Sequence, residues 1–165
     1  MKLIFKPLNR EQAIVILNWR YIYPYDRYNF DANTFKQDLS YLLDRQNAFF
    51  AILDLHEELQ GYCSFGSDGR VLGGQYDTNA LDIGMGVRPN LTGRGNGKQY
   101  ARSVVEYGIR LYKAKQLRVT IAKFNQRAQR VWKQLGFEQV EKFTKVGTED
   151  EFIIMIRAVS AFQIL

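Results

Sequence analysis

The chain has 165 residues, of which 46% are hydrophobic and 24% charged, and its formal net charge is +6. This size and composition exclude a disordered chain and predict one folded domain over residues 1–165. The longest apolar runs, at 47–55 and 152–156, are far too short to cross a bilayer. The only cysteine, Cys63, and the only histidine, His56, exclude an internal disulfide, a multi-cysteine metal site and most Ser-His or Cys-His chemistry. We expect a cytoplasmic protein that binds no metal.

Hydrophobic periodicity and capping residues predict the elements in chain order. Asn9 and Gln12 have the spacing of a capping box at the start of the first helix. Gly136 stands where a glycine typically ends a helix. The predicted order is a strand at 2–8, a helix after Asn9, a helix at 34–43, strands at 48–55, 60–65 and 80–87, a helix at 98–113, a strand at 117–121, a helix after Asn125, and antiparallel strands at 137–146 and 151–159. This order predicts a mixed sheet covered by helices, an α/β (α+β) fold.

A glycine-rich loop separates the predicted strand at 80–87 from the helix at 98–113. Residues 87–97 read Val-Arg-Pro-Asn-Leu-Thr-Gly-Arg-Gly-Asn-Gly, a spacing that matches neither the dinucleotide fingerprint nor the P-loop. Glycine reaches positive φ and lets a ligand approach the backbone. A helix N-terminus adds unpaired N–H groups and about half an elementary positive charge. The loop is therefore predicted to hold an anion such as a pyrophosphate, with an ordinary strand-to-helix turn as the alternative.

The positive charge of the chain is concentrated around this loop. Residues 88–133 carry twelve Lys and Arg against one acid, Glu106, whereas the segments on either side are net negative. Such a region would attract a polyanionic ligand. A solvated basic helix face and a nucleic-acid site are the alternatives. The interleaved aromatic residues fall mostly at core positions, which argues against nucleic acid.

Two motifs in the chain resemble those of the GCN5-related N-acetyltransferase (GNAT) superfamily. Residues 92–97 read Thr-Gly-Arg-Gly-Asn-Gly, close to the family's Gln or Arg, two residues, Gly, one residue, Gly or Ala. Residues 125–137 read Asn-Gln-Arg-Ala-Gln-Arg-Val-Trp-Lys-Gln-Leu-Gly-Phe, close to the family's N-x-x-A-x-x-(aliphatic)-Y-x-x-x-G-F. Both motifs lie in the family's order on the predicted elements. The resemblance covers the whole chain and is nearest to the ribosomal-protein and small-amine acetyltransferase type.

The resemblance implies a single-domain fold with a mixed, mostly antiparallel sheet of about seven strands, splayed at the cofactor site and flanked by about four helices. It implies an enzyme that moves an acetyl group from acetyl-CoA to a primary amine of a small molecule or peptide by direct attack. A non-catalytic acetyl-CoA sensor or scaffold of the same fold is the alternative. A monomer or homodimer is expected, without a membrane or nucleic-acid partner.

The resemblance also assigns a cofactor site. Backbone groups of Met85 and Val87 would pair with the pantetheine arm, and the loop N–H groups would hold the pyrophosphate. Asn125 would contact the cofactor from the far side of the opened sheet. The implied cofactor-binding residues are Met85, Val87, Thr92, Gly93, Arg94, Gly95, Asn96, Gly97, Lys98, Asn125 and Trp132.

Two residues depart from the family pattern. Thr92 replaces the usual Gln or Arg and removes a long polar side chain near the pyrophosphate, which Arg94 and Lys98 could offset. Trp132 replaces the frequent tyrosine whose hydroxyl protonates the leaving thiolate. An indole N–H does not ionise usefully, so Trp132 cannot act as that acid.

The base is assigned from residue type and position, and the acceptor side from the resemblance. An attacking amine must lose a proton, which needs a carboxylate directly or through water. Asp82, on the strand before the loop, is the candidate base, with a solvated edge carboxylate as the alternative. The resemblance implies that the aromatic segment 19–28 lines the acceptor side, with Trp19, Tyr23 and Tyr25 as the candidate residues. A loop packed on the core is the alternative. The acidic residues 149–151 could attract a cationic acceptor, but a solvated turn is the preferred interpretation.

Overall fold

The computed structural model describes residues 1–164, which contain seven strands and five helices. In chain order these are β1 Ile4–Pro7, α1 Arg10–Leu17, α2 Phe35–Leu43, β2 Phe49–Leu53, β3 Leu59–Phe65, β4 Leu81–Val87, α3 Gly97–Tyr112, β5 Gln116–Ala122, α4 Gln126–Gln134, β6 Glu138–Thr144, β7 Glu151–Ala158 and α5 Ala161–Ile164. The strands form one sheet in the order β1-β2-β3-β4-β5-β7-β6. The β4–β5 pair is parallel and the others are antiparallel, which confirms the predicted mixed, mostly antiparallel sheet.

Local capping sets the helix boundaries that the sequence predicts. The Asn9 side chain accepts a hydrogen bond from the Gln12 N–H (2.8 Å), and the Gln12 side chain accepts one from the Asn9 N–H (3.1 Å). This reciprocal pair is the predicted capping box. Gly136 follows α4 with φ of +89°, the left-handed conformation expected of a glycine after a helix. None of the helices within residues 1–164 is long and apolar enough to cross a membrane.

The helices form two layers, one on each face of the sheet. Side chains of α1 and α2 pack with Phe49 and Tyr62 on one face. Side chains of α3 and α4 pack on the opposite face with Ile52, Cys63 and other apolar residues of the strands. Successive residues of a strand point to opposite faces, so both faces are apolar. Cys63 is fully buried, and this burial raises the pKa of its thiol.

The sheet opens between β4 and β5. These strands pair only at Leu81 with Leu117 and at Asp82 with Arg118, whereas β4 pairs with β3 along residues 83–87. Two hydrogen bonds at the ends of the β3–β4 ladder show which backbone groups of β4 face β3. The Arg88 N–H donates to Gln60 O (2.8 Å), and the Gly66 N–H donates to Asp82 O (2.9 Å). The residues whose backbone groups point away from β3 into the gap are Ile83, Met85 and Val87. The predicted splay is therefore present, and it leaves one edge of β4 without a neighbouring strand.

A buried ion pair stands at the last position where β4 and β5 are paired. The Arg118 guanidinium donates from Nε to Asp82 Oδ1 (2.6 Å) and from Nη2 to Asp82 Oδ2 (2.8 Å), and both side chains are 1% exposed. Arg70 Nε also donates to Asp82 Oδ2 (2.8 Å), and Arg118 Nη1 donates to the Thr78 carbonyl (2.9 Å). This network ties β5 to β4 and to the connection before β4. It fixes the point at which the two strands diverge.

Replacing Asp82 with Ala should lower the free energy of unfolding by about 3–5 kcal/mol, because the Arg118 guanidinium would stay buried without its carboxylate. Urea unfolding measures this change. Glu138, an exposed carboxylate on β6, is the control, and Glu138→Ala should change stability by no more than about 0.5 kcal/mol. A loss below about 1 kcal/mol for Asp82→Ala would contradict the structural role of the pair.

Candidate active site

A cleft of about 620 Å³ follows the gap between β4 and β5 and opens toward both helical layers. Its walls include Lys98 and Trp132 from the α3–α4 layer, and Tyr62 and Asp68 from the opposite face. The residues predicted from the resemblance that line it are Met85, Val87, Thr92, Gly93, Gly95, Gly97, Lys98, Asn125, Trp132 and Tyr25. The structure therefore brings most of the predicted cofactor residues together around one opening.

The loop before α3 presents an uninterrupted row of backbone donors. Within residues 1–164, none of the six N–H groups of residues 93–98 donates a hydrogen bond, and Asn96 does not cap α3 with its side chain. Gly95 has φ of +81°, and a Cβ built on it would have no atom within 4 Å. Unpaired N–H groups at the start of a 16-residue helix, beside open space, form a site for an anion. These features support the predicted anion loop, which stays a prediction.

Cationic side chains surround this loop from α3 and α4. Lys98, Arg127 and Arg130 line the cleft, whereas Arg94 is exposed beside it. The Arg127 guanidinium lies over the Tyr25 ring, 4.2 Å from its centroid, and its Nη1 would be 3.5 Å from a Cβ on Gly93. The sequence prediction missed Arg127 and Arg130. Their spacing of three residues on a helix that starts at the Asn125 motif is the signal that could have found them.

The edge of β4 in the gap offers backbone groups to an extended ligand. The Val87 carbonyl accepts a hydrogen bond from the Tyr21 hydroxyl (2.7 Å), so a ligand arm would share that oxygen. Burial raises the pKa of Tyr21 to about 12, against a smaller opposite effect of the Arg127 charge. The phenol therefore keeps its proton at neutral pH and remains a donor. No described residue pairs with Met85 along this edge, as the prediction for the pantetheine arm requires.

Asn125 and Trp132 lie in the wall formed by α4. The Asn125 side chain caps α4 by accepting a hydrogen bond from the Ala128 N–H (3.0 Å), and its amide donates to the Tyr28 hydroxyl (3.1 Å). The Trp132 ring is 5% exposed and packs edge-on against Phe137, with 5.1 Å between ring centroids. No hydrogen bond of the Trp132 indole is found within residues 1–164. Trp132 therefore contributes an apolar surface to the cleft and no titratable proton.

The geometry argues against Asp82 as the base. Asp82 is buried outside the cleft, and both of its oxygens accept hydrogen bonds from arginine guanidinium groups. Proton transfer from an amine would require those charged partners to be displaced. The sequence places a carboxylate on β4, the strand that borders the cleft. It could not show that Arg118, 36 residues later, forms an ion pair with that carboxylate. Asp82 positions the strands instead.

Of the three candidate residues named in the aromatic segment, one lines the cleft. Tyr25 lines the cleft, but Trp19 packs against Tyr62 in the core of the α1–α2 layer, and Tyr23 is 85% exposed outside the cleft. Tyr21 and Tyr28, which belong to the predicted segment but were not among its named candidates, line the cleft as well. Helical periodicity could not have identified them, because Tyr21 lies outside the described helices and residues 25–28 form only a short 3₁₀ turn. The acidic turn at 149–151 is paired with Arg27, Lys123 and Lys142, as the solvated-turn interpretation expects.

Comparisons with known proteins agree with this geometry. Residues 11–137 match the family model described as Acetyltransferase (GNAT) family. A chimera of the spermidine N-acetyltransferase SpeG from Vibrio cholerae and hSSAT superposes with a TM-score of 0.74 at 15% identity, over 96% of both chains. N-acetyltransferase PseH from Campylobacter jejuni superposes with a TM-score of 0.65 at 18% identity, over 96% of this chain and 99% of that one. Vibrio cholerae spermidine N-acetyltransferase in complex with CoA and spermine superposes with a TM-score of 0.68 at 15% identity, over 94% of this chain and 95% of that one.

No curated protein sequence matches the chain. The identities to the solved structures are low, so those likenesses show the fold. The family model matches most of the chain independently of them. The chain therefore belongs to the acetyltransferase (GNAT) family, the N-acetyltransferases that use acetyl-CoA as cosubstrate.

Proposed function

We propose that this enzyme transfers the acetyl group of acetyl-CoA to a primary amine of a small molecule or peptide. The observation that carries the proposal is the row of six unpaired N–H groups at 93–98, at one end of a cleft that passes through the sheet. The pyrophosphate of the cosubstrate would bind there, with Lys98 and Arg127 beside it. The pantetheine arm would then run along the free edge of β4 and bring the thioester into the gap between the strands.

The reaction is a direct attack on the thioester. The neutral amine nitrogen forms a bond with the carbonyl carbon, the carbon–sulfur bond breaks, and the CoA thiolate takes up a proton. Negative charge develops on the carbonyl oxygen during the attack, and a backbone N–H can stabilise it. Backbone groups of Met85 point into the gap at the place where the thioester would lie. Because the cleft opens toward both layers, the amine can arrive from the side opposite to the phosphates.

A non-catalytic sensor or scaffold that binds acetyl-CoA is the second candidate. Trp132 is the residue that favours it, because the indole cannot protonate the leaving thiolate. Coenzyme A thiolate is a tolerable leaving group, so transfer does not require that acid. We therefore rank the sensor second, and a measurement of acetyl-transfer turnover distinguishes the two functions.

We also propose a location, a domain organisation and an oligomeric state for the enzyme. The single buried cysteine makes no demand for an oxidising compartment, which supports a cytoplasmic location. One continuous sheet order supports one domain over residues 1–165. We propose a monomer or homodimer, a question that light scattering on the purified protein answers.

Acetyl-CoA and CoA should stabilise the protein selectively against heat, because they bind the folded state. At a ligand concentration of 100 times Kd the stabilisation is about 2.7 kcal/mol. Thermal unfolding with acetyl-CoA, CoA and ATP at matched ionic strength measures the difference. Equal stabilisation by ATP would reject the assignment.

Release of CoA thiol with spermidine, n-butylamine, lysine methyl ester and a peptide with a free N-terminus then tests acetyl transfer, and failure with all four would favour the sensor.

Gly95→Asp should weaken CoA binding by at least about 100-fold, because it places a carboxylate in front of the row of N–H donors that would bind the pyrophosphate. Calorimetric titration with CoA measures the loss. Gly147 is a matched control, because it has φ of +78° against +81° for Gly95, and a Cβ on either glycine has no atom within 4 Å. Gly147→Asp carries the same backbone strain and should bind CoA normally. Unchanged CoA affinity in folded Gly95→Asp would contradict the site.

Trp132→Tyr should raise turnover, because it restores a phenol at the position where the family uses one as general acid. General acid catalysis contributes about 10²- to 10⁴-fold, so we expect at least a tenfold gain over the control. Trp132→Phe is that control, since it makes a similar cavity beside Phe137 but adds no hydroxyl. Steady-state kcat with the fastest amine of the panel is the measurement. Equal kcat values for the two variants would show that protonation of the thiolate does not limit the rate.

A further inference from the structure

The two ends of the cleft carry opposite charge. Among the described residues that line it, the cations are Lys98, Arg127 and Arg130, which belong to the α3–α4 layer. Asp68 is the only carboxylate among them, and it lies in the connection between β3 and β4. The cationic end matches the phosphates of the cosubstrate. The anionic end is therefore the part of the cleft that remains for a cationic acceptor.

Two hydroxyl groups orient the Asp68 carboxylate. The Tyr41 hydroxyl donates to Oδ1 (2.7 Å), and the Ser64 hydroxyl donates to Oδ2 (2.6 Å). Burial and the hydrogen bond to Asp68 raise the pKa of Tyr41, so this phenol keeps its proton. No Lys or Arg within residues 1–164 forms an ion pair with Asp68. Each carboxylate oxygen can accept a further hydrogen bond, which leaves capacity for an ammonium.

Asp68 lies against the backbone of β4 at the start of the splay. Its Oδ2 would be 3.2 Å from a Cβ built on Gly84, and that Cβ would overlap the Ser64 hydroxyl. Gly84 comes two residues after Asp82, the last residue of β4 that pairs with β5. The missing side chain thus lets the carboxylate approach β4 beside Met85, where the thioester end of the pantetheine arm would lie.

Aromatic rings complete the anionic end. A Cβ on Gly86 would overlap the Tyr62 ring, so this ring lies directly on β4. Tyr21 and Tyr28 also line the cleft, on the side of these rings that Arg127 reaches, and burial raises the pKa of all three phenols against a smaller opposite effect of the Arg127 charge on Tyr21 and Tyr28. Neutral rings beside a single carboxylate suit an alkyl chain that ends in an ammonium, because ring faces attract cations and the carboxylate pairs with the charge.

We propose that Asp68 binds the ammonium group of a primary alkylamine acceptor and removes the proton that precedes attack, an inference that rests on the proposed acetyl transfer. One N–H bond of the ammonium breaks and its proton passes to the carboxylate. The nitrogen lone pair then forms the bond to the thioester carbon, and the electron pair of the carbon–sulfur bond leaves with CoA. A second proton passes from nitrogen to the thiolate, and Asp68 returns its proton to water.

Asp68→Asn tests this role with two nucleophiles. The variant should lower kcat/KM for n-butylamine by at least about 100-fold, the range of a lost general base. Hydroxylamine is already neutral at pH 7.5, so its acetylation should fall by less than about threefold. CoA affinity and thermal stability should stay near those of the wild type, which shows that the fold is intact. Asp26→Asn, an equal charge change at an exposed residue outside the cleft, should leave both nucleophiles unaffected.

Asp68→Glu keeps a carboxylate and should retain at least about tenfold more n-butylamine activity than Asp68→Asn. Equal losses with the two nucleophiles, or no loss, would overturn the proposal. The proposal would also be overturned if the wild type acetylated another amine of the panel but neither acetylated nor bound n-butylamine. If no amine is acetylated, acetyl transfer itself fails, and calorimetric binding of n-butylammonium to the CoA complex decides the role of Asp68. Equal affinity of the wild type and Asp68→Asn would then reject it.

Discussion

The ion pair between Asp82 and Arg118 is the constraint on which the site depends. It joins β4 to β5 at their last paired residues, where both side chains are buried and the attraction between them is weakly screened. Beyond it β4 follows β3, and β5 follows β7. One edge of β4 is left without a strand partner because of this divergence, and a row of backbone donors and acceptors becomes available to an extended ligand. A sheet in which β4 and β5 paired along their whole length would have no such opening.

The charge distribution would place the two reactants on opposite sides of this opening. Backbone N–H groups and arginine side chains would attract phosphate on the α3–α4 side, and Asp68 would attract an ammonium on the other. An amine must be charged to be drawn to a carboxylate and neutral to attack. A carboxylate that both pairs with the ammonium and accepts its proton satisfies the two requirements at one place. The same polarity disfavours anionic acceptors, since they would meet Asp68 in a partly desolvated cleft.

Features that depend on residues close in sequence were predictable. The capping box at Asn9 and the glycine after α4 each need only a few neighbouring residues, and each is present. Features made by distant residues were not. The partner of Asp82 comes 36 residues later, and Tyr41 precedes Asp68 by 27 residues. Asp68 lies in the connection between β3 and β4, and its place in the cleft depends on tertiary contacts that hydrophobic periodicity does not report.

The hydrogen bond from Tyr21 to Val87 has a consequence for how specificity can change. It ties the aromatic segment that would line the acceptor side to the strand that would carry the cosubstrate. A substitution that moves this segment to admit a larger amine would also disturb the edge of β4. Acceptor preference and cosubstrate affinity are then coupled traits. Variants that alter Tyr25 or Tyr28 and keep Tyr21 would diversify the acceptor with the least loss of cosubstrate binding.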